Sequence, residues 1–268
     1  MSDLYADIIN LPDDITNQIA SVLELRATDP QQQSMSTSLL KDLGTLDNAK
    51  VLEIGCGTGA IARKIAIWPG VAETVGLDPS PIFVNQACNL GKEFKSLRFV
   101  LGDGTDVPFS DESFDVVIFH TTLCHIPDSQ SALLEAYRVL RNNGQLLIFD
   151  GDYSSITFSI DNNDPLQICA REAQSIISHD SFLIQTLSKK VTDIGFFVIK
   201  QRSFGYISEN DSHYLLTVLD RGADSLLKRG IVSTFLAKAL KDEARYRLKN
   251  GNFFGRIVYG SILARKQS

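Results

Sequence analysis

A glycine-rich segment at residues 53–59, Glu-Ile-Gly-Cys-Gly-Thr-Gly, constrains the fold of this chain more than any other feature. It follows a short apolar run at residues 51–54 and precedes a helical pattern at residues 59–66, so it predicts a buried strand, a tight loop and a helix. Glycines permit positive φ angles in such a loop and let the backbone approach a ligand closely. The free N–H groups at the start of the helix add a partial positive charge. The segment therefore predicts a ligand site built largely from backbone.

Strands and helices alternate along the chain after this loop. The apolar runs that predict strands lie at residues 51–54, 74–77, 97–101, 114–119 and 145–149. The helical patterns between them lie at residues 59–66, 81–90 and 131–140. This alternation indicates an α/β fold with a Rossmann-like, mostly parallel sheet and helices on both faces.

The two ends of the chain carry helical additions to this pattern. Their helical patterns lie at residues 12–26, 31–44, 165–178, 181–193 and 212–249, the last with a break at residues 228–230. Two further strands are predicted at residues 196–199 and 254–264. No linker rich in proline or serine separates these parts, so we expect one continuous unit.

Composition excludes several functional classes. Lys and Arg total 26 against 32 for Asp and Glu, and the net charge of −6 disfavours a protein that binds nucleic acid through a basic face. No apolar run approaches the ~20 residues of a membrane-spanning helix, and the acidic first residues do not resemble a secretory signal. The four cysteines form no C-x-x-C pair and no zinc-ligand spacing with histidine. We expect a cytoplasmic protein with reduced thiols and no metal.

Two carboxylates at the ends of later strands narrow the range of candidate ligands. Asp78 ends the second predicted strand, about 20 residues after the glycine loop, where an acid can accept the hydroxyls of a ribose. Residues 57–62 also fit the dinucleotide pattern G-x-G-x-x-A, which is weak alone. Asp103 and Gly104 follow the third strand, where an acid can accept an adenine amino group. Dinucleotides and S-adenosylmethionine (SAM) both remain candidates on these residues.

The ordered set of motifs resembles the class I SAM-dependent methyltransferases, and within them the type-11 group that acts on small molecules. The resemblance covers residues 45–155 and rests on E-x-G-x-G-x-G, Asp78, the segment 102–104, PFSDESFDVVIFHTTLCHIPD and RVLRNNGQLLIFD. It implies a seven-stranded sheet whose last strand, at residues 254–264, is reversed. It also implies SAM as cofactor and S-adenosylhomocysteine (SAH) as product.

The same resemblance assigns cofactor-binding roles position by position. The matching residues are Glu53, Gly55, Gly57, Gly59, Asp78, Asp103, Gly104 and His120. Arg26 is the nearest N-terminal arginine to the motifs and is expected to bind the carboxylate of SAM, although no motif anchors it.

Candidate catalytic residues follow from chemistry at the carboxyl edge of the sheet. Histidine is the side chain best matched to proton transfer near neutral pH. His125 is our first candidate for a general base and His120 the second, since both follow the fourth strand. If the methyl acceptor is a carbon atom, Asp152, which follows the fifth strand, is the candidate for the base instead.

The sequence thus predicts a helical N-terminal cap at residues 1–45, a SAM-binding core at 46–155, and a remainder at 156–268. Helical insertions at about 156–193 and 205–251 are expected to form a lid over the substrate. The predicted function is methyl transfer to a small, partly apolar metabolite. We expect no nucleic-acid partner and no membrane span, and a homodimer remains one of the open possibilities. The alternatives are a SAM or SAH binder that transfers no methyl group (a cyclase, a decarboxylase or a regulatory subunit) and an NAD-dependent oxidoreductase.

Overall fold

A twisted seven-stranded sheet forms the centre of the computed structural model, which describes residues 3–208 and 213–267. Its strands are β1 (Ala49–Ile54), β2 (Val71–Asp78), β3 (Leu97–Leu101), β4 (Phe114–His120), β5 (Leu140–Thr157), β6 (Phe196–Ile207) and β7 (Arg256–Lys266). They lie in the order β3-β2-β1-β4-β5-β7-β6. Only β7 runs antiparallel to its neighbours, which confirms the predicted sheet with a reversed last strand.

Nine α-helices of the described residues surround the sheet. They are α1 (Asp13–Thr28), α2 (Pro30–Asp42), α3 (Ala60–Ala66), α4 (Pro81–Gly91), α5 (Ser129–Val139), α6 (Gln167–Ile176), α7 (Leu183–Ile194), α8 (His213–Lys228) and α9 (Thr234–Lys249). Short 3₁₀ turns lie at Ile8–Asn10 and Leu123–His125. No helix among these residues has the length and hydropathy needed to cross a bilayer.

Most helices pack directly on the sheet. Helices α3 and α4 cover β2 and β3, whereas α7 packs on β5, β6 and β7. Helix α6 packs on β5, α8 packs on α6, and α9 packs on α8. Helix α1 contacts α2, α3, α4 and α8, so it joins the N-terminal cap to the insertion between β6 and β7.

Strand pairing moves two boundaries away from their sequence-based positions. Strand β5 was predicted at residues 145–149. It extends to Thr157 because its second half pairs with β7, and it begins at Leu140 with a register shift before Gln145. Strand β6 continues through Gly205 to Ile207, paired with β7, so the second insertion begins after Ile207 rather than at residue 205. Residues 209–212 of that insertion lie outside the described residues.

Two apolar clusters hold the molecule together. The larger one contains the central strands and the inner faces of the helices. The smaller one joins Ile8, Ile19 and Ala20 of the N-terminal cap to Phe83 of α4, with Leu4 and Tyr5 packed against it. This second cluster fixes the N-terminal segment beside the carboxyl edge of the sheet.

A substitution of Gly222 on α8 tests the close contact between α8 and α6. A Cβ atom there would lie 2.2 Å from the carbonyl oxygen of Cys169. Glycine to alanine in a helix normally stabilises by roughly 0.5–1 kcal/mol, but the overlap should reverse the sign and destabilise Gly222→Ala by about 1–3 kcal/mol. Urea unfolding should show this loss, and Gly205→Ala, which has open space around it, should not. A Gly222→Ala protein as stable as wild type would contradict the packing.

Candidate active site

The glycine loop after β1 is held in a left-handed conformation. The φ angles are 71° at Gly55, 54° at Gly57 and 79° at Gly59. A Cβ atom on Gly55 would lie 2.0 Å from the methyl carbon of Thr122, so both the angle and the space require glycine. Gly59 is the N-cap of α3, and the loop therefore presents backbone N–H groups at a helix start.

Asp78 closes the loop from the end of β2. Its Oδ2 accepts a hydrogen bond of 2.8 Å from the Gly57 N–H, and its Oδ1 accepts one of 2.9 Å from the Ser80 N–H. Burial raises the pKa of Asp78 to about 6, although these two hydrogen bonds favour the charged form. A carboxylate has further lone pairs, so Asp78 can still accept hydrogen bonds from a ligand.

Glu53 and Arg26 place an acidic and a basic side chain on one cavity. Glu53 is 2% exposed, and its Oε2 has no hydrogen-bond partner. Burial, followed by the nearby charge of Asp78, raises the pKa of Glu53 well above its usual value. Arg26 on α1 donates to the hydroxyl of Thr121 and has no carboxylate partner among the described residues. Each of the two side chains thus lacks a partner of opposite charge.

The end of β4 is strained beside these groups. Thr121 has a positive φ of 53°, which costs a non-glycine residue about 1–3 kcal/mol. Its N–H donates to Phe149 across 2.6 Å, and its hydroxyl donates to the carbonyl of His120 across 2.7 Å. His120 keeps a buried Nε2 without a partner, and burial together with the charge of Arg26 holds its pKa well below the usual value. His120 is therefore a neutral wall of the cavity.

All of these groups line one cavity of about 230 Å³ at the carboxyl edge of the parallel strands. Ligands bind at this edge in open α/β sheets. Six described residues have buried side-chain polar atoms without a partner, and three of them, Gln32, Glu53 and His120, line this cavity. Unsatisfied polar atoms are rare in native interiors, so their concentration here indicates a polar ligand.

His125 forms a hydrogen bond with the N-terminal segment. Its Nδ1 lies 2.7 Å from Oδ2 of Asp3, and the two side chains are 11% and 3% exposed. Asp3 also accepts hydrogen bonds from the backbone N–H groups of Tyr5 and His179. The carboxylate orients the imidazole, which leaves Nε2 able to accept a proton.

A smaller pocket of about 30 Å³ adjoins the main cavity, and the two share five lining residues, namely Tyr5, Leu23, Arg26, Thr121 and His125. Its other walls come from α1, β5, α8 and the C-terminal cap of α6, and they include Val22, Tyr153, Ile177 and Arg221. The main cavity therefore continues into a second space that His125 borders.

The structure brings most of the predicted site residues to these cavities. Glu53, Gly55, Gly57, Asp78, Asp103, Gly104, His120, Arg26 and His125 line the main cavity. Gly59 lies under the loop as the cap of α3, rather than in the cavity wall.

Asp152, the third predicted catalytic residue, lines neither cavity. Its Oδ1 accepts hydrogen bonds from the hydroxyl of Ser154 and from the amide of Gln185 on α7. Side chains alternate along a strand, so Tyr153 faces the smaller pocket and Asp152 faces away. A catalytic role for Asp152 does not fit this position.

Sequence reasoning missed Asp3, Tyr5 and Arg221. Asp3 lies 122 positions before its partner His125, and no spacing rule connects two such residues. Arg221 belongs to a helix that was predicted, but its position over the pocket depends on the packing of α8 against α1 and α6. No group of three or more potential ligands among the described residues could hold a metal ion.

Comparison with known proteins identifies the domain that surrounds the site. Residues 52–148 match the family model described as a methyltransferase domain. The demethylmenaquinone methyltransferase of Tropheryma whipplei is 35% identical over 135 residues, which are 50% of this chain and 52% of that protein. The chain spans about half the length of the curated relatives it matches.

Solved structures share the fold. A putative methyltransferase from Bacillus halodurans aligns with a TM-score of 0.63 and 23% identity, covering 88% of this chain and all of that one. A [4+2]-cyclase aligns with a TM-score of 0.57 and 17% identity, covering 90% of this chain and 85% of that one.

The carboxyl of Asp78 should titrate near pH 6. Because the folded state favours its protonated form, Asp78 contributes most to the unfolding free energy below pH 4. That contribution declines as pH rises through about 6, by up to about 3 kcal/mol for a two-unit pKa difference. Carboxyl ¹³C NMR, with Asp78→Asn to identify the resonance, measures the pKa directly. Titration near pH 4 would contradict the burial of this group.

Proposed function

We propose that this chain is a class I SAM-dependent methyltransferase and that it transfers the methyl group of SAM to a small, partly apolar metabolite. The sheet order supports SAM over NAD. Dinucleotide-binding sheets have the order 3-2-1-4-5-6, all parallel, whereas this sheet inserts a reversed β7 between β5 and β6.

The pair of unpartnered charges carries the proposal. An amino acid has a carboxylate and an ammonium group a few ångströms apart, and Arg26 and Glu53 offer one complement to each. A cation beside Glu53 would favour the ionised form of a carboxyl whose burial otherwise disfavours it. The residues present therefore fit the amino-acid end of SAM.

The other residues of the cavity accommodate the adenosyl end. The glycine loop lets the ligand approach the backbone, and Asp78 accepts from the ribose hydroxyls while it holds Gly57. Asp103 is exposed, and its Oδ1 already holds Thr105 through two bonds of 2.8 Å, so Oδ2 remains for the adenine amino group. Gly104 is buried beside it against Ile54, where a larger residue would meet a side chain.

When bound, SAM supplies a methyl group that reacts with a nucleophile. The protein's part is to hold the acceptor in line and to exclude water, and such positioning accounts for a large share of the rate. If the acceptor atom carries a proton, His125 takes it at Nε2 while Asp3 holds Nδ1 and stabilises the charged ring. His120 contributes a neutral surface beside this space, not a second base.

Apolar side chains support a partly apolar acceptor. The main cavity includes Ile8, Ile9, Ile61 and Phe83 besides its polar groups. The N-terminal segment and α1 supply much of this wall, and α8 supplies one wall of the smaller pocket. We extend the proposal to the insertion before β7, whose α8 would act as a substrate-binding cover.

A SAM binder without methyl transfer is the second candidate, because a [4+2]-cyclase shares the fold. Calorimetry with SAH and with NAD tests the cofactor, and transfer of label from methyl-labelled SAM to fractionated small metabolites tests the reaction. Micromolar SAH binding with label transfer supports the proposal. SAH binding without any transfer favours the second candidate, and NAD binding without SAH binding overturns both.

Asp103→Ala should weaken SAH binding about tenfold, equivalent to about 1.4 kcal/mol, because it removes the acceptor for the adenine amino group. Asp106→Ala is the matched control, since it changes an exposed acid of the same loop that does not line the cavity. Calorimetry measures both variants. Equal affinities for the two would show that adenine does not lie beside Asp103.

His125→Ala should lower kcat by about 100-fold or more and change SAH affinity little, because a general base contributes roughly 10²–10⁴ to a rate. Asp3→Asn should give a smaller loss, since the imidazole stays but loses its orienting charge. His179→Ala is the control, because it removes an exposed imidazole and keeps the backbone N–H that binds Asp3. A parallel loss of SAH binding and kcat in His125→Ala would instead show a structural role.

A further inference from the structure

We propose that the methyl acceptor is a small acid whose carboxylate or phosphate is bound by Arg221 in the smaller pocket. This inference rests on the proposed function and adds the chemical class of the substrate. It starts from an arginine that faces the pocket without a carboxylate partner among the described residues.

The charges of α8 separate onto two sides of the helix. Asp220 pairs with Arg245, and Asp224 pairs with Lys241, both on α9. Arg221 instead lies with its guanidinium carbon 5.8 Å from the ring centroid of Tyr5. The acidic neighbours of Arg221 on its own helix are thus already paired on the side that faces α9.

The other elements around the pocket leave its positive charge in excess. Arg26 of α1 lines it, with its guanidinium carbon 5.9 Å from the ring centroid of Tyr214. Asp3 already binds His125 and two backbone N–H groups, and Asp150 accepts from the backbone N–H groups of Cys124 and Gly151. Among the described lining residues, Arg26 and Arg221 therefore have no carboxylate partner, and His125 contacts only Asp3.

An anion accounts for this arrangement. Partly desolvated guanidinium groups bind carboxylates and phosphates with charge-assisted, often bidentate hydrogen bonds. Arg26 lines both cavities, and the main cavity also contains the glycine loop. We therefore assign Arg26, rather than Arg221, to the carboxylate of SAM. Arg221 lines only the smaller pocket, so it is the group that remains for the acceptor.

The remaining walls define the rest of the acceptor. Tyr5, Tyr153 and Tyr214 supply aromatic surface, and Val22, Ile177 and Val218 supply aliphatic surface. His125 lies between the two cavities, with its ring centroid 4.5 Å from that of Tyr5 and 6.3 Å from that of Tyr153. We assign to the acceptor a compact acid whose anionic group occupies the smaller pocket at Arg221 and whose flat or apolar body extends past His125 toward the main cavity.

Binding of three probes to the full chain tests the proposal, with and without saturating SAH. The probes are benzoate, phenyl phosphate and the uncharged benzamide. Either anion should bind the wild type at least about tenfold more tightly than benzamide, and the tighter of the two identifies carboxylate or phosphate as the group recognised.

Arg221→Gln should abolish that preference and leave SAH affinity unchanged, and Arg221→Lys should keep part of it because the charge remains. Lys228→Gln is the matched control, since it removes an exposed positive charge from the same helix. Equal binding of benzamide and the anions, no binding of any probe, or a preference that survives in Arg221→Gln would overturn the proposal. A protein that binds no SAH but keeps the preference would refute the proposed function alone.

Discussion

The hydrogen bond from the Gly57 N–H to Asp78 is the contact on which the site depends. It joins the loop after β1 to the end of β2 across 2.8 Å, and it forms only because the loop takes positive φ angles. The same bond keeps a carboxyl buried at the carboxyl edge of the sheet, where its pKa rises to about 6. Strand order, loop conformation and the chemistry of the cavity are therefore linked through one buried acid.

The N-terminal segment completes the site from the opposite side. Tyr5, Ile8 and Ile9 line the main cavity, and the hydrogen bond between Asp3 and His125 holds this segment in place. Thr58 of the glycine loop also donates to Glu24 of α1 across 2.5 Å, and Glu24 forms an ion pair with Arg63. The cap at the start of the chain is thus bound both to the cofactor loop and to the proposed base.

The parallel strands of the sheet could be predicted because local patterns determine them, whereas the reversed last strand was implied only by the family resemblance. Buried parallel strands appear as apolar runs that end at glycine or aspartate, and Asp78 and Asp103 stand at such ends. The boundaries of β5 and β6 could not be predicted, because their extensions exist only through pairing with β7. Asp152 was misplaced for a similar reason, since the alternation that turns it toward Gln185 depends on the register of β5.

Contacts between distant segments were beyond prediction from a single sequence. Two such contacts are the pairing of Asp3 with His125 and the position of Arg221 over Tyr5. Both follow from tertiary packing, which composition and spacing do not encode. Arg26 was named without a supporting motif, and the structure gives it a reason: it lies beside the strained Thr121, without an acidic partner among the described residues.

A crystal structure of the chain grown with SAH tests the central claim most directly. The account predicts the ribose hydroxyls at Asp78, the amino-acid group between Glu53 and Arg26, and the sulfur directed toward the space that His125 borders. A ligand bound away from the glycine loop, or one whose amino-acid group contacts neither Glu53 nor Arg26, would contradict it.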